Sequence, residues 1–76
     1  MFQFRPVRQY LYTSGLGNYC SYGIHAVMTT HSGCADMGFV SDVSCDLKFV
    51  SLLADRCTRL QLDPIHLLEV VLDALP

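Results

Sequence analysis

A chain of 76 residues makes one domain, residues 1–76. A domain this small buries only about 60 % of the surface its unfolded chain exposes, so its core needs support from elsewhere. Apolar residues make up 51 % and charged residues 16 %, more apolar surface than so small a core hides, which points to association; a net charge of −2 argues against a nucleic-acid binder.

The N-terminus, Met1-Phe2-Gln3-Phe4-Arg5-Pro6, has no apolar segment behind a basic one, and no run reaches the roughly 18–20 apolar residues that cross a bilayer. The expectation is a cytoplasmic protein without membrane contact. Residues 4–13 then read as a strand, with Tyr10, Leu11, Tyr12 and Thr13 suited to a half-buried pleated surface. Pro6 cannot donate to a ladder, so the start of this strand belongs at a sheet edge. Ser14-Gly15-Leu16-Gly17-Asn18 is a turn and not a phosphate loop, since the later glycine and the following helix are missing.

Residues 19–29 read as a second strand, with Tyr22, Ile24, Ala26 and Met28 on one face and Ser21, Gly23, His25 and Val27 on the other. A hairpin turn centred on His31 and Ser32 leads to a third strand over residues 35–43, with Met37, Phe39 and Val43 on one face. That register sets Ile24 opposite Phe39, Ala26 opposite Met37 and Cys20 opposite Val43.

At Ser44 the period changes from two to 3.6. Ser44 is the expected N-cap of a helix reaching about Leu60, with Leu47, Val50, Leu53, Ala54, Cys57 and Leu60 as its apolar stripe. Lys48, Ser51, Asp55, Thr58 and Arg59 are expected in water. After the link Gln61-Leu62, Asp63 caps a second helix and Pro64 takes its first position, where no N–H is needed. This helix is apolar nearly all round; His66, Glu69 and Asp73 alone share a polar wedge. Ile65, Leu68, Leu72 and Leu75 are expected to face the core, and Leu67, Val70, Val71 and Ala74 to meet a second copy of the chain or another protein. The fold class is therefore α+β: a three-stranded antiparallel meander followed by two helices on one face.

No catalytic constellation stands out. His66 has only a neighbouring carboxylate, and catalysis needs a base, an orienting group and an electrophilic site together. The cysteines Cys20, Cys34, Cys45 and Cys57 form no C-x-x-C pair, so free thiols are expected rather than a disulfide or a zinc site recruiting His25 or His31. Cys45, at the expected first turn of a helix, is the best reactive-thiol candidate. No cofactor is expected.

Val40-Ser41-Asp42-Val43-Ser44-Cys45-Asp46, the later Val50 and Leu53, and Leu62 to Asp73 resemble a family of small Firmicutes proteins of unknown function. The likeness covers residues 20–75: Tyr22-Gly23-Ile24 matches a Tyr-Gly-Ile strand, Ser44-x-Asp46 a helix start, and Asp63-Pro64-Ile65-His66-Leu67 a closing Ser-Pro-x-His-Leu helix, with Asp63 in place of the serine cap. The resemblance implies a bacterial cytosolic protein and brings no activity. The function expected from the residues is a small non-enzymatic interaction or regulatory module that self-associates as a dimer or binds a protein partner. The alternative is a nucleic-acid-binding module using Arg5, Arg8, Tyr10, Tyr12, Tyr19 and Tyr22.

Overall fold

The structure, a computed structural model, describes residues 1–76. Three strands, β1 (Phe2–Thr13), β2 (Gly17–Thr30) and β3 (Gly33–Ser44), form an antiparallel sheet in the order β1-β2-β3. Helix α1 (Leu47–Arg59), a 3₁₀ turn (Pro64–His66) and helix α2 (Leu67–Ala74) follow. Both helices pack on one face of the sheet, α1 mainly against β1 and β2, α2 against β3. The α+β meander expected from the sequence is the observed fold.

The lengths of these elements shape the molecule. Strands of 12 and 14 residues run about 40 Å or more at ~3.3 Å per residue, whereas the 13 residues of α1 span only about 20 Å. The long axis is 44 Å. The helix layer therefore covers only part of the sheet. Its core joins Phe4, Ile24, Ala26 and Val43 to Val50, Leu53, Ala54, Cys57, Leu67 and Val71. The other end, where Thr13 pairs with Gly17, projects as a two-stranded ribbon.

The β1–β2 register is unbroken from Phe2↔Met28 to Thr13↔Gly17. The β2–β3 register starts as expected, with Thr30↔Gly33 around His31-Ser32, and then slips twice. Val27 faces Asp36 but Ala26 faces Gly38, so Met37 is bulged out. Gly38 takes φ +142°, open to glycine alone, and the Asp36 carboxylate accepts its N–H (3.1 Å). Between Ile24↔Val40 and Tyr22↔Ser44 a second irregularity leaves Ser41, Asp42 and Val43 against Gly23, with Asp42 at φ +54°. The expected pairs Ile24/Phe39, Ala26/Met37 and Cys20/Val43 are thereby overturned. Phe39 moves to the outer face, while Val40 packs against the core and Val43 enters it. Gly23 then lies beneath Phe39: a Cβ there would stand 2.5 Å from the Val40 carbonyl and 2.7 Å from the Phe39 ring.

The helix ends also correct the reading. Ser44 closes β3 and is not the cap of α1; its hydroxyl accepts the Asp46 N–H (3.0 Å). The cap is Asp46, whose carboxylate accepts from Lys48 and Phe49, because β3 runs on through Ser44 and delays the helix. At the other end the Leu62 N–H reaches the Cys57 carbonyl and the Gln61 N–H the Thr58 carbonyl (both 3.1 Å), a Schellman closure with Gln61 at φ +50° where glycine is usual. Asp63 caps the 3₁₀ turn through the Ile65 N–H (3.1 Å), and Pro64 occupies its first position.

Candidate interaction surfaces

The first surface is the outer side of the helix layer. An all-round apolar helix leaves its inward face undetermined by periodicity; its entry decides. Here the Schellman closure holds Leu62, and the 3₁₀ turn winds at three residues per turn instead of 3.6. The result reverses the expectation for all but Leu75, which packs against the core as expected. Leu67 and Val71, expected at a partner, are core residues at 2 % exposure each. Val70 and Ala74 are half-buried against that core. Ile65, Leu68 and Leu72, expected inside, are 79 %, 55 % and 60 % exposed; Leu52 and Leu60 of α1 are also open to solvent.

Between the helices lies an open cavity of about 310 Å³, lined by Leu53 and Cys57 of α1, Leu60 at its C-cap, Leu62 of the link, and Val70 and Ala74 of α2. Arg56 and Asp73 are its two charged members, and neither takes part in an ion pair. The Cys57 thiol is buried here, and that burial pushes its pKa up, as expected for a thiol serving as a small hydrophobe. Cys20, Cys34 and Cys45 are exposed and free. Cys45 stands one residue before the Asp46 cap, outside the first turn of α1, so the helix-terminus argument for its reactivity loses its geometry. No three His, Cys, Asp or Glu side chains converge as a metal site. His66 Nδ1 lies 3.9 Å from the Glu69 carboxylate, an exposed contact one turn apart.

The second surface is the outer face of the sheet. Asp42, held at positive φ, accepts the hydroxyls of Ser21 (2.6 Å) and Tyr19 (2.8 Å), while its N–H donates to Gln9 Oε1 (2.8 Å) and Gln9 Nε2 donates to Ser41 (2.9 Å). Donating to a carboxylate raises the Tyr19 phenol's pKa. Beside this network His25 Nε2 meets Asp36 at 3.0 Å and stands edge-on to Phe39. The Gly38 amide, and then His25, hold the Asp36 carboxyl below its usual range. Ser21 is fully buried, and these cross-strand contacts tie β3 to β2 across its two irregularities.

The third surface is the edge of β1. Thr29 and Met1 exchange backbone hydrogen bonds, so odd-numbered residues of β1 bond to β2 and even-numbered ones point their N–H and C=O away. At Phe2 those groups meet Gln61: the N–H donates to Oε1 and Nε2 donates to the carbonyl, both at 2.9 Å. At Phe4 the N–H donates to Thr58 Oγ1 (2.9 Å), whose hydroxyl lies 3.3 Å from the Phe4 carbonyl and 3.0 Å from that of Ala54. Thr58, expected in water, and Gln61, expected as a mere link, thus seal the edge. Pro6 has no N–H. Beyond it, the outward groups of Arg8, Tyr10 and Tyr12 have no partner in the protein. Tyr10 and Tyr12 are 78 % and 71 % exposed, and the Arg8 guanidinium lies 5.8 Å from the Tyr22 ring centroid.

No helix is long and apolar enough to cross a membrane. No protein-family model, curated protein or solved structure matches the chain.

Proposed function

We propose that this protein is a non-enzymatic interaction module that works through protein–protein contacts and self-associates. The observation that supports it is the exposure of Ile65 in the 3₁₀ turn together with Leu68 and Leu72 on α2, with Leu52 and Leu60 also exposed elsewhere on the helix layer. Scattered surface leucines are ordinary, but three of the apolar residues of one short closing segment facing outward together on a small domain mark a contact surface. The open cavity between the helices, on the opposite flank of α2 and bordered by the exposed Leu60, offers a separate socket for an apolar side chain, with Arg56 and Asp73 available to paired charges.

The test is light scattering on the pure protein and on the double variant Leu68→Glu with Leu72→Glu. The proposal expects unchanged circular dichroism and weaker association in the variant, because a charge held in an apolar contact is costly without a partner. Equal association and equal binding of an apolar dye by both proteins would remove the proposal's support.

A further inference from the structure

We propose that two copies of this chain join edge to edge along Arg8–Tyr12 of β1, antiparallel about Tyr10, so that their sheets become one. This interface is separate from the leucine face and does not rest on it.

The edge of β1 is divided in two. From Phe2 to Pro6 the outward groups are covered or missing, the Pro6 carbonyl excepted: Gln61 serves Phe2, Thr58 serves Phe4, and Pro6 has no N–H. From Arg8 to Tyr12 nothing covers the backbone. Protein edges are normally blunted by lysines, prolines, bulges or a covering segment, because a bare edge templates another strand. Here the blunting stops at Pro6, and the ribbon from Arg8 to Tyr12 runs without a bulge.

The open stretch fits its own copy. In a two-fold arrangement centred on Tyr10, Tyr10 pairs with Tyr10 of the other copy and Arg8 with its Tyr12. Every outward N–H and C=O of Arg8, Tyr10 and Tyr12 then finds a partner. Pro6 falls opposite Ser14, at the turn after Thr13, where the ladder ends in any case. A register moved by two residues brings Pro6 into the ladder opposite Tyr12 or leaves Arg8 opposite Ser14, beyond the end of the strand. The side chains agree with the register. Arg8, Tyr10 and Tyr12 share one face, Arg8 is the one formal charge between Pro6 and Ser14, and it meets a tyrosine ring rather than another arginine. The two-fold runs normal to the sheet, so both helix layers lie on the same side and both leucine faces stay free.

The test is hydrogen exchange and sedimentation across a concentration series, carried out on the Leu68→Glu, Leu72→Glu protein so that the helix layer cannot contribute. A dimer must persist there, with the amides of Arg8, Tyr10 and Tyr12 gaining protection as concentration rises and those of Phe2 and Phe4 unchanged. In that background Tyr10→Pro removes an outward N–H, as Pro6 already does, together with the phenol ring, leaves the β1–β2 ladder bonds in place, and should raise the dimer dissociation constant by at least roughly tenfold. Tyr12→Lys, which leaves the backbone untouched, should weaken the dimer in the same direction. A monomer at millimolar concentration, protection independent of concentration, or a dimer indifferent to both substitutions would overturn the proposal. So would protection of these amides only on adding a single-stranded oligonucleotide, which would make the ribbon a nucleic-acid surface.

Discussion

Gln61 acts toward Phe2 as a strand residue would. Its side-chain amide accepts the Phe2 N–H and donates to the Phe2 carbonyl, both at 2.9 Å, and Nε2 also reaches the Thr58 carbonyl at 2.7 Å. The backbone of Gln61 meanwhile sits at φ +50°, a conformation that costs a non-glycine residue about 1 kcal/mol. One residue thus closes α1 and seals the first turn of the β1 edge.

The two roles separate by substitution. Gln61→Ala keeps the backbone strain and loses the bonds to Phe2, and should cost about 1–2 kcal/mol. Gln61→Gly loses the same bonds but relieves the strain, so it should cost less than Gln61→Ala. Urea unfolding gives both values, and faster exchange of the Phe2 amide in both variants identifies the lost contact.

Neighbouring residues of α2 should respond oppositely to truncation. Leu67→Ala empties a core position and should cost about 2–5 kcal/mol, a large part of the stability of so small a domain. Leu68→Ala touches a solvent-facing side chain and should stay within about 0.5 kcal/mol. Chemical denaturation of the two variants decides which row is core.

The strands, the His31-Ser32 turn, the end of α1 and the Asp63-Pro64 start are all legible in the sequence, because alternation, turn residues and caps are local signals, whereas the start of α1 falls two residues later than Ser44 suggests. The slips in β3 are not. The positive φ of Gly38 and Asp42 becomes necessary only where the ladder demands one extra residue at Met37 and two more between Val40 and Ser44. The inward face of α2 is hidden for a different reason: both of its rows are apolar, and a 3₁₀ turn outside the helix chooses between them. The sealing of β1 by Thr58 and Gln61 joins positions more than fifty residues apart, which no local pattern records.

Gly23 should tolerate no side chain. Gly23→Ala must displace both the Val40 carbonyl and the Phe39 ring, and overpacking of this kind costs about 1–3 kcal/mol. Phe39→Ala together with Gly23→Ala should recover part of that loss, since the ring is one of the two obstacles. A thermal unfolding cycle over the four proteins measures the coupling.

The Asp36 carboxyl gives stability a pH dependence on the acid side. Its folded pKa is lowered by the Gly38 amide and by His25, so its contribution is complete above the ordinary aspartate value of about 4 and fades as pH falls through the lower folded value. Asp36→Asn should flatten the acid limb of a stability profile between about pH 2 and pH 5 and leave its shape unchanged toward neutrality.

The most direct measurement of the central claim is a concentration series of methyl resonances from micromolar to millimolar protein. The account predicts that the Leu68 and Leu72 methyl signals shift and broaden as copies meet, while those of Leu67 and Val71, sealed in the core, stay fixed. Leucine signals that hold their positions over the whole range would contradict it.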